Sequence, residues 1–329
     1  MKAIAFIQLS LRVQSRKSIH KKHHLTMDII TPVLRDSNLY RYKGFCFFKE
    51  FMKPEFIESL QDFKIRDDDV FMITYPKSGT IWTQQILSLI YSEGYRNGTE
   101  QTETSKRVPW IEFQFLSKDP NEDPNSRPSP RLFASHLSSR FVPQGLKNRK
   151  AKIIYVMRNP KDVIKSLYHF EAMATYAETS PDFDHFFQKF LDGDVFAGSW
   201  FDHVRGWYTH KDYFKILFIK YEDMIMDLRS VVQQMCIFLG KELDNESIDI
   251  VVKRATFNEM KNDPLANKEN MPEDFFDFKN GKFMRKGTVG DWKNAMTVAQ
   301  SETFDRIFQE KMGDLDLHFT WDINEKRSL

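Results

Sequence analysis

Along this chain, short runs of β-branched and aromatic residues alternate with longer stretches whose apolar positions recur at helical spacing. Val70 to Tyr75 is a continuous apolar run, the pattern of a strand buried on both faces. A turn at Pro76 to Gly79 follows. Trp82, Ile86, Leu89 and Ile90 then share one face of a helix that begins near Thr80. Arg131 to Ala134 reads as a short strand and Lys152 to Met157 as a strong one. Asn159-Pro160 caps a helix running through Val163, Leu167 and Phe170, since Pro suits the first helical position. Lys215 to Ile219 is a further strand, and Leu228 to Leu239 a helix stopped by Gly240. Thr297 with Gln300 makes a capping box for a last helix ending near Gly313. Strand–helix alternation predicts an α/β fold, a single domain with a central parallel sheet flanked by helices.

Two stretches break the pattern. Asn121 to Pro130 is rich in Pro, Ser and Asn and reads as a surface loop. Asn262 to Lys282 is polar and acidic with Phe275, Phe276 and Phe278 embedded, which fits either an ordered aromatic loop or a lid over a ligand. No repeat or linker interrupts the chain after Tyr40.

Composition narrows the function classes. The 30 Phe and 6 Trp call for aromatic core layers or pockets, and 329 residues suffice to bury them. Two cysteines, Cys46 and Cys236, cannot build a disulfide framework, so a reducing, cytoplasmic setting is expected. The formal charge of +2 hides an asymmetry: residues 1–26 hold Lys2, Arg12, Arg16, Lys17, Lys21 and Lys22 and no acid. That segment has the composition of a mitochondrial presequence, but is expected to be an unstructured basic extension before a folded domain over 27–329. The remainder is mildly acidic, so there is no broad field for nucleic acid. The longest early apolar run, Ala3 to Ile7, is too short for a membrane span or a secretory signal. The sequons at Asn97 and Asn245 are therefore read as chance matches. Phosphate chemistry, if present, belongs to a local pocket.

Such a pocket has candidates. Tyr75-Pro76-Lys77-Ser78-Gly79-Thr80-Ile81-Trp82 joins a strand to a helix, whose first N–H groups and partial positive charge suit an anion. Gly79 permits close approach of the backbone, Ser78 and Thr80 add hydroxyls, and Lys77 a point charge. It is not a Walker A loop, because Lys77 precedes the only Gly, which weakens a kinase-like phosphotransferase reading. Arg158 follows the Lys152–Met157 strand, where open α/β sheets bind ligands, and Ser166 lies further along the next helix. Arg285-Lys286-Gly287 is a third basic element. Each alone is as readily a solvated or salt-bridged feature.

Together the three elements resemble the cytosolic sulfotransferases, which use 3′-phosphoadenosine 5′-phosphosulfate (PAPS). The motifs are YPKSGTIW, RNPKDV, YED and FMRKGTVGDWKN, in that order over about residues 40–320. PWIEFQ, GSWFDHVRGWY and ATFNEMK look closest to the amine sulfotransferases. The resemblance implies that Lys77 to Trp82 hold the phosphosulfate, with Trp82 on the adenine, and that Arg158 and Ser166 bind the 3′-phosphate with Arg285, Lys286 and Gly287. Ser166 would also tune Lys77. Tyr221 would bond the adenine region. Phe257 would close the adenine slot beside Ala255, Thr256, Asn258, Glu259 and Met260, with Phe283 and Met284 leading into the late loop. A 3′-phosphate pocket gives the second and third basic clusters a partner that ATP would not.

His136, in Ser135-His136-Leu137, matches the family's catalytic base, and an ordinary imidazole titrates near neutrality. Ala134 stands where phenol-preferring members carry Lys, and Ser138, Ala255 and Ile81 are further departures that remove no catalytic group. The implied reaction is in-line displacement with His136 as base and Lys77 stabilising the leaving oxygen, and no metal is expected. Phe45, Phe47, Trp110, Phe113, Phe170 and Tyr176 are candidates for an apolar pocket taking a small hydrophobic amine, alcohol or phenol. Glu171 is either a steering group for an amine or a solvated helix carboxylate. Lys293, Thr297, Val298 and Glu302 match the family's KxxxTVxxxE dimer motif, which would pair as a short antiparallel strand in a homodimer. A catalytically silent binder of PAPS or its desulfated product PAP is the principal alternative.

Overall fold

The computed structural model describes residues 30–33, 35–92, 94, 101–116 and 123–324; the basic extension, Met27 and the Asn97 sequon lie outside them. Three short strands, β1 (Thr31–Pro32), β2 (Leu39–Tyr42) and β3 (Phe45–Phe48), form an antiparallel sheet. The central sheet holds β4 (Val70–Thr74), β5 (Leu132–Ser135), β6 (Lys152–Met157) and β7 (Lys215–Lys220), all parallel, in the order β5-β4-β6-β7.

Strands β4, β5 and β6 of this sheet are buried on both faces. Phe71, Ile73, Phe133, Ile153 and Tyr155 point into one core; their neighbours Val70, Met72, Leu132, Ala134, Ile154 and Val156 point into the other. That alternation with both sets apolar is why these strands read as continuous runs rather than alternating ones. Helices Pro160–Glu171 and Trp200–Thr209 cover the first face, and Thr80–Tyr91, Leu228–Leu239 and Asn245–Arg254 the second. The expected signals operate: Asn159 accepts from the Lys161 N–H, Gly240 closes its helix with φ +70°, and Thr297 and Gln300 bond reciprocally. Thr297 to Glu302 thus opens a capped helix rather than a strand, with Val298 exposed.

Strand order sets where a ligand goes. From β4 the chain first crosses to β5 on one side and then to β6 on the other, so the connections diverge and leave a crevice at the strands' carboxyl ends. Those ends deliver Lys77 after β4, His136 after β5, Arg158 after β6 and Tyr221 after β7.

The Asn262–Lys282 stretch is an ordered aromatic wall. The Thr175 N–H donates to the Phe275 carbonyl (3.1 Å), the Asp277 N–H to the Met173 carbonyl (2.8 Å), and Phe276 bridges Ala174. The described part of the Asn121–Pro130 loop is surface turn, tied down by Arg66 donating to the Asn125 and Arg127 carbonyls.

Two expectations fail here. Phe45 and Phe47 pack into the main core with Phe141, while Cys46 and Phe48 face the other way toward Phe196 and Tyr176. Side chains alternate along a strand, so the ligand-facing set is offset by one residue. Glu171 is neither solvated nor in the pocket. It is buried and bonds Lys189 Nζ at 3.0 Å, which also meets Asp36 at 2.9 Å. Phe170 continues the Ser166 face of the helix, four residues on; the next residue turns away toward Lys189.

The wholly buried Lys189 links the amino-terminal segment to two helices. Lys189→Ala leaves two buried carboxylates without a cation. It is expected to lower unfolding free energy by about 3–5 kcal/mol, read as a shift in the urea midpoint.

Candidate active site

The four strand ends open onto a cavity of about 650 Å³. Its wall divides into a cationic end and an aromatic end.

At the cationic end, Lys77 has φ +66° and Gly79 φ +103°, so the loop takes two left-handed residues within three positions. The first is strained for a side-chain-bearing residue, a kind of strain that gathers at binding loops. A Cβ on Gly79 would lie 2.9 Å from the Tyr221 ring, which explains the glycine. Lys77 Nζ lies over the Phe170 and Phe283 rings, 4.6 and 5.5 Å from their centroids, and forms no ion pair among the described residues. Burial, then Arg158 and Arg285, lower its pKa to about 7. Arg158 donates to the Lys77 and Thr288 carbonyls at 3.1 Å and stacks on Tyr221 at 4.2 Å. Its Nε is buried without a hydrogen-bond partner among the described residues, as is Ser78 Oγ. Arg285 and Lys286 approach from the late loop, both bonded to Asp291 at 2.7 Å; Lys165 shares that carboxylate. These cations hold Asp291 well below the usual carboxylate range. Lys77, Arg158, Arg285, Lys286 and Lys165 therefore outnumber Asp291, and the orphaned Arg158 Nε and Ser78 Oγ suit a polyanionic ligand.

Beyond them lies a slot. Trp82 donates through Nε1 to the Ala255 carbonyl (2.7 Å) and meets Tyr221 edge-on; Phe257 and Met260 face the same cavity. A Cβ on Gly287 would fall 2.4 Å from Phe257, so only glycine fits between. Thr80, Ile81, Ser166, Phe283 and Met284 also line the wall. Ser78 and Ala255 are buried behind it. Thr256, Asn258 and Glu259 are exposed and outside it, because Thr256 caps the short Phe257–Asn262 helix and points the following turn to solvent.

At the aromatic end, Trp110, Phe113, Phe170 and Tyr176 line the cavity as expected, joined by Phe48, Phe51, Phe196, Phe275 and Phe276. Between the two ends sits His136. Its Nδ1–H donates to the Thr74 carbonyl at 2.7 Å, which fixes the tautomer and leaves the Nε2 lone pair unprotonated. Burial, only partly offset by that bond, lowers its pKa to about 3, so the ring is neutral at pH 7 rather than poised near it. Its peptide is tied at both ends: the N–H donates to Glu112 Oε1 (2.6 Å), and the carbonyl accepts from His203 Nε2 (2.9 Å). Tyr155 OH bonds the other nitrogen of His203 at 2.9 Å.

Thr74, Glu112 and His203 were not singled out from sequence. Glu112 left one clue, a carboxylate inside an aromatic run; His203 looked like any histidine of an amphipathic helix.

A cationic loop after the first strand of a parallel sheet, an aromatic slot and a neutral imidazole beside an apolar chamber suit an enzyme that moves an anionic group from a nucleotide. The sulfotransferase domain pattern matches residues 67–316, and the chain belongs to the sulfotransferase family, of the cytosolic type. It is 53% identical to the amine sulfotransferase of Oryctolagus cuniculus over 88% of this chain and 95% of that one. It is 40% identical to sulfotransferase 2B1 of Mus musculus over 88% and 84%. Mouse sulfotransferase SULT7A1, solved with PAP, superposes with a TM-score of 0.69 at 31% identity, over 85% of this chain and 96% of that one. Retinol dehydratase bound to androsterone and PAP shares the fold, with a TM-score of 0.75 at 22% identity over 85% and 90%. The protein is a PAPS-dependent sulfotransferase.

An anion set against Lys77 restores the charge that burial weakens. PAP binding at pH 8 is therefore expected to take up a proton, and affinity to fall as pH rises above about 7, by at most about tenfold per unit. Calorimetry in buffers of different ionisation enthalpy checks this. Lys77→Met removes the uptake, and pH-independent binding by the wild type would contradict the assignment.

Proposed function

We propose that the enzyme sulfonates the nitrogen of small hydrophobic amines, with His136 as base and Lys77 as the cation at the leaving oxygen. The observation that carries this reading is that Lys77, His136 and the aromatic chamber share one cavity, each placed by a different strand or loop.

PAPS, when bound, supplies an electrophilic sulfuryl group and a phosphate leaving group. Lys77, Thr80, Arg158, Ser166, Arg285, Lys286 and Gly287 are suited to its phosphates, and Trp82, Tyr221, Phe257 and Met260 to its adenine. The aromatic chamber orients the acceptor and excludes water. His136 accepts the acceptor's proton on Nε2 while Nδ1–H stays bonded to Thr74. Low basicity suits a nitrogen acceptor, whose proton becomes strongly acidic only as nitrogen bonds to sulfur. Lys77, recharged by the anion, stabilises the oxygen that leaves.

The amine preference is supported by the rabbit relative, and the chamber's charge bears on which protonation state of an amine enters. Glu103 is the carboxylate among the described wall residues, and Lys268 neutralises it at 3.7 Å. An ammonium ion thus finds no free anion and meets cations at the far end, which favours neutral amines. Alcohols fit the same chamber. A silent binder is disfavoured, because the neutral His136 imidazole on the chamber wall would have no use in it.

The free, buried cysteines support a cytoplasmic setting, and among the described residues no helix is long and apolar enough to cross a membrane. The exposed Val298 and Glu302, beside Lys293 and Thr297, support a symmetric dimer contact.

With labelled PAPS and no added metal, arylamines are expected to turn over faster than phenols or hydroxysteroids. His136→Ala is expected to lower kcat by about 10²–10⁴-fold with PAP binding kept. Faster transfer to phenols or steroids would discard the amine preference. Intact turnover in His136→Ala would discard the base.

A further inference from the structure

We propose that Glu112 is a positioning residue of the transfer reaction, holding the His136 backbone so that Nε2 faces the acceptor. The proposal rests on the reading of His136 as the base. Glu112 lies in the 3₁₀ turn Ile111–Leu116 and is wholly buried. One oxygen accepts the His136 N–H at 2.6 Å, and the Ser135 hydroxyl and Glu112's own N–H also support the carboxylate. A carboxylate in such a place is costly to bury, and burial raises its pKa to about 7.

The surrounding geometry gives the cost a purpose. The segment before Glu112 docks along the edge of β5: the Ala134 N–H donates to the Pro109 carbonyl at 2.8 Å, and Trp110 bridges Ala134. The Trp110 ring lies 4.4 Å from the His136 ring and also lines the acceptor chamber. One short segment therefore carries part of the acceptor wall, packs against the base and anchors the peptide of the base. His203 holds the same residue from its other side, donating to the His136 carbonyl. With Thr74 on Nδ1, three bonds fix the imidazole, and Glu112 is the one that ties it to the acceptor wall.

Two conservative variants separate reach from charge. Glu112→Gln keeps an oxygen at the same reach and removes the charge. Glu112→Asp keeps the charge and withdraws the oxygen by one methylene. Positioning predicts that Glu112→Asp loses about 10–100-fold in kcat, with the PAP dissociation constant and the KM for PAPS within about twofold of wild type. Glu112→Gln is expected to stay within about threefold in kcat. ¹⁵N-histidine NMR should show the His136 Nδ1–H tautomer retained in Glu112→Gln and mixed or exchange-broadened in Glu112→Asp. The proposal is overturned if Glu112→Asp keeps wild-type kcat, if Glu112→Gln is the more impaired of the two, or if kcat and PAP affinity fall together in step with the melting temperature. His136→Ala serves as the control. If it turns over normally, the base assignment fails; if it is inactive while Glu112→Asp is not, only the positioning role fails.

Discussion

Positive charge held in a cavity without enough carboxylate to match it is the constraint on which the rest of this structure depends. Lys77 and Arg158 reach the wall from the ends of adjacent strands, and neither forms an ion pair among the described residues. A buried lone cation is unfavourable, and Lys77 answers by losing basicity. The site is thus stressed until an anion arrives. Aromatic faces under Lys77 and Arg158 supply a weak substitute, enough to hold the side chains in place and too little to compete with phosphate.

The second half of the site has the opposite problem. Chemistry at the acceptor needs a proton acceptor inside an apolar chamber, and burial makes any imidazole a poor one. The fold holds the ring's orientation: Thr74, Glu112 and His203 take three hydrogen-bonding positions of His136, which under the proposed role leaves Nε2 for the acceptor. Sheet topology makes the two halves compatible, since β4 and β5 are neighbours with Ile73 opposite Ser135. The cation that follows one strand and the imidazole that follows the other therefore open onto the same crevice.

Much of this was legible in the sequence, for identifiable reasons. Strands β4 and β6 were plain because both faces are buried, and the helix limits at Asn159, Gly240 and Thr297 because each carries its own local signal. The cationic loop was plain because Lys77 to Trp82 are contiguous. The acceptor wall was half legible. An aromatic strand such as β3 gives no internal clue to which face meets the ligand, so Phe45 and Phe47 were named where Phe48 belongs. Glu171 misled because its partner Lys189 lies on another helix, and Glu112 stayed hidden because its partner is a backbone N–H, which no residue pattern displays.

The central claim, that the unmatched cations form a site for a 3′-phosphorylated adenine nucleotide and not for a nucleoside triphosphate with metal, is tested most directly by one equilibrium comparison. Calorimetric titration with PAP alone and with ADP plus magnesium measures it. The account predicts PAP tighter by at least about tenfold, since each charge-assisted phosphate contact contributes more than 1 kcal/mol, and no gain from magnesium. Equal affinity for the two, or PAP binding that requires magnesium, would contradict it.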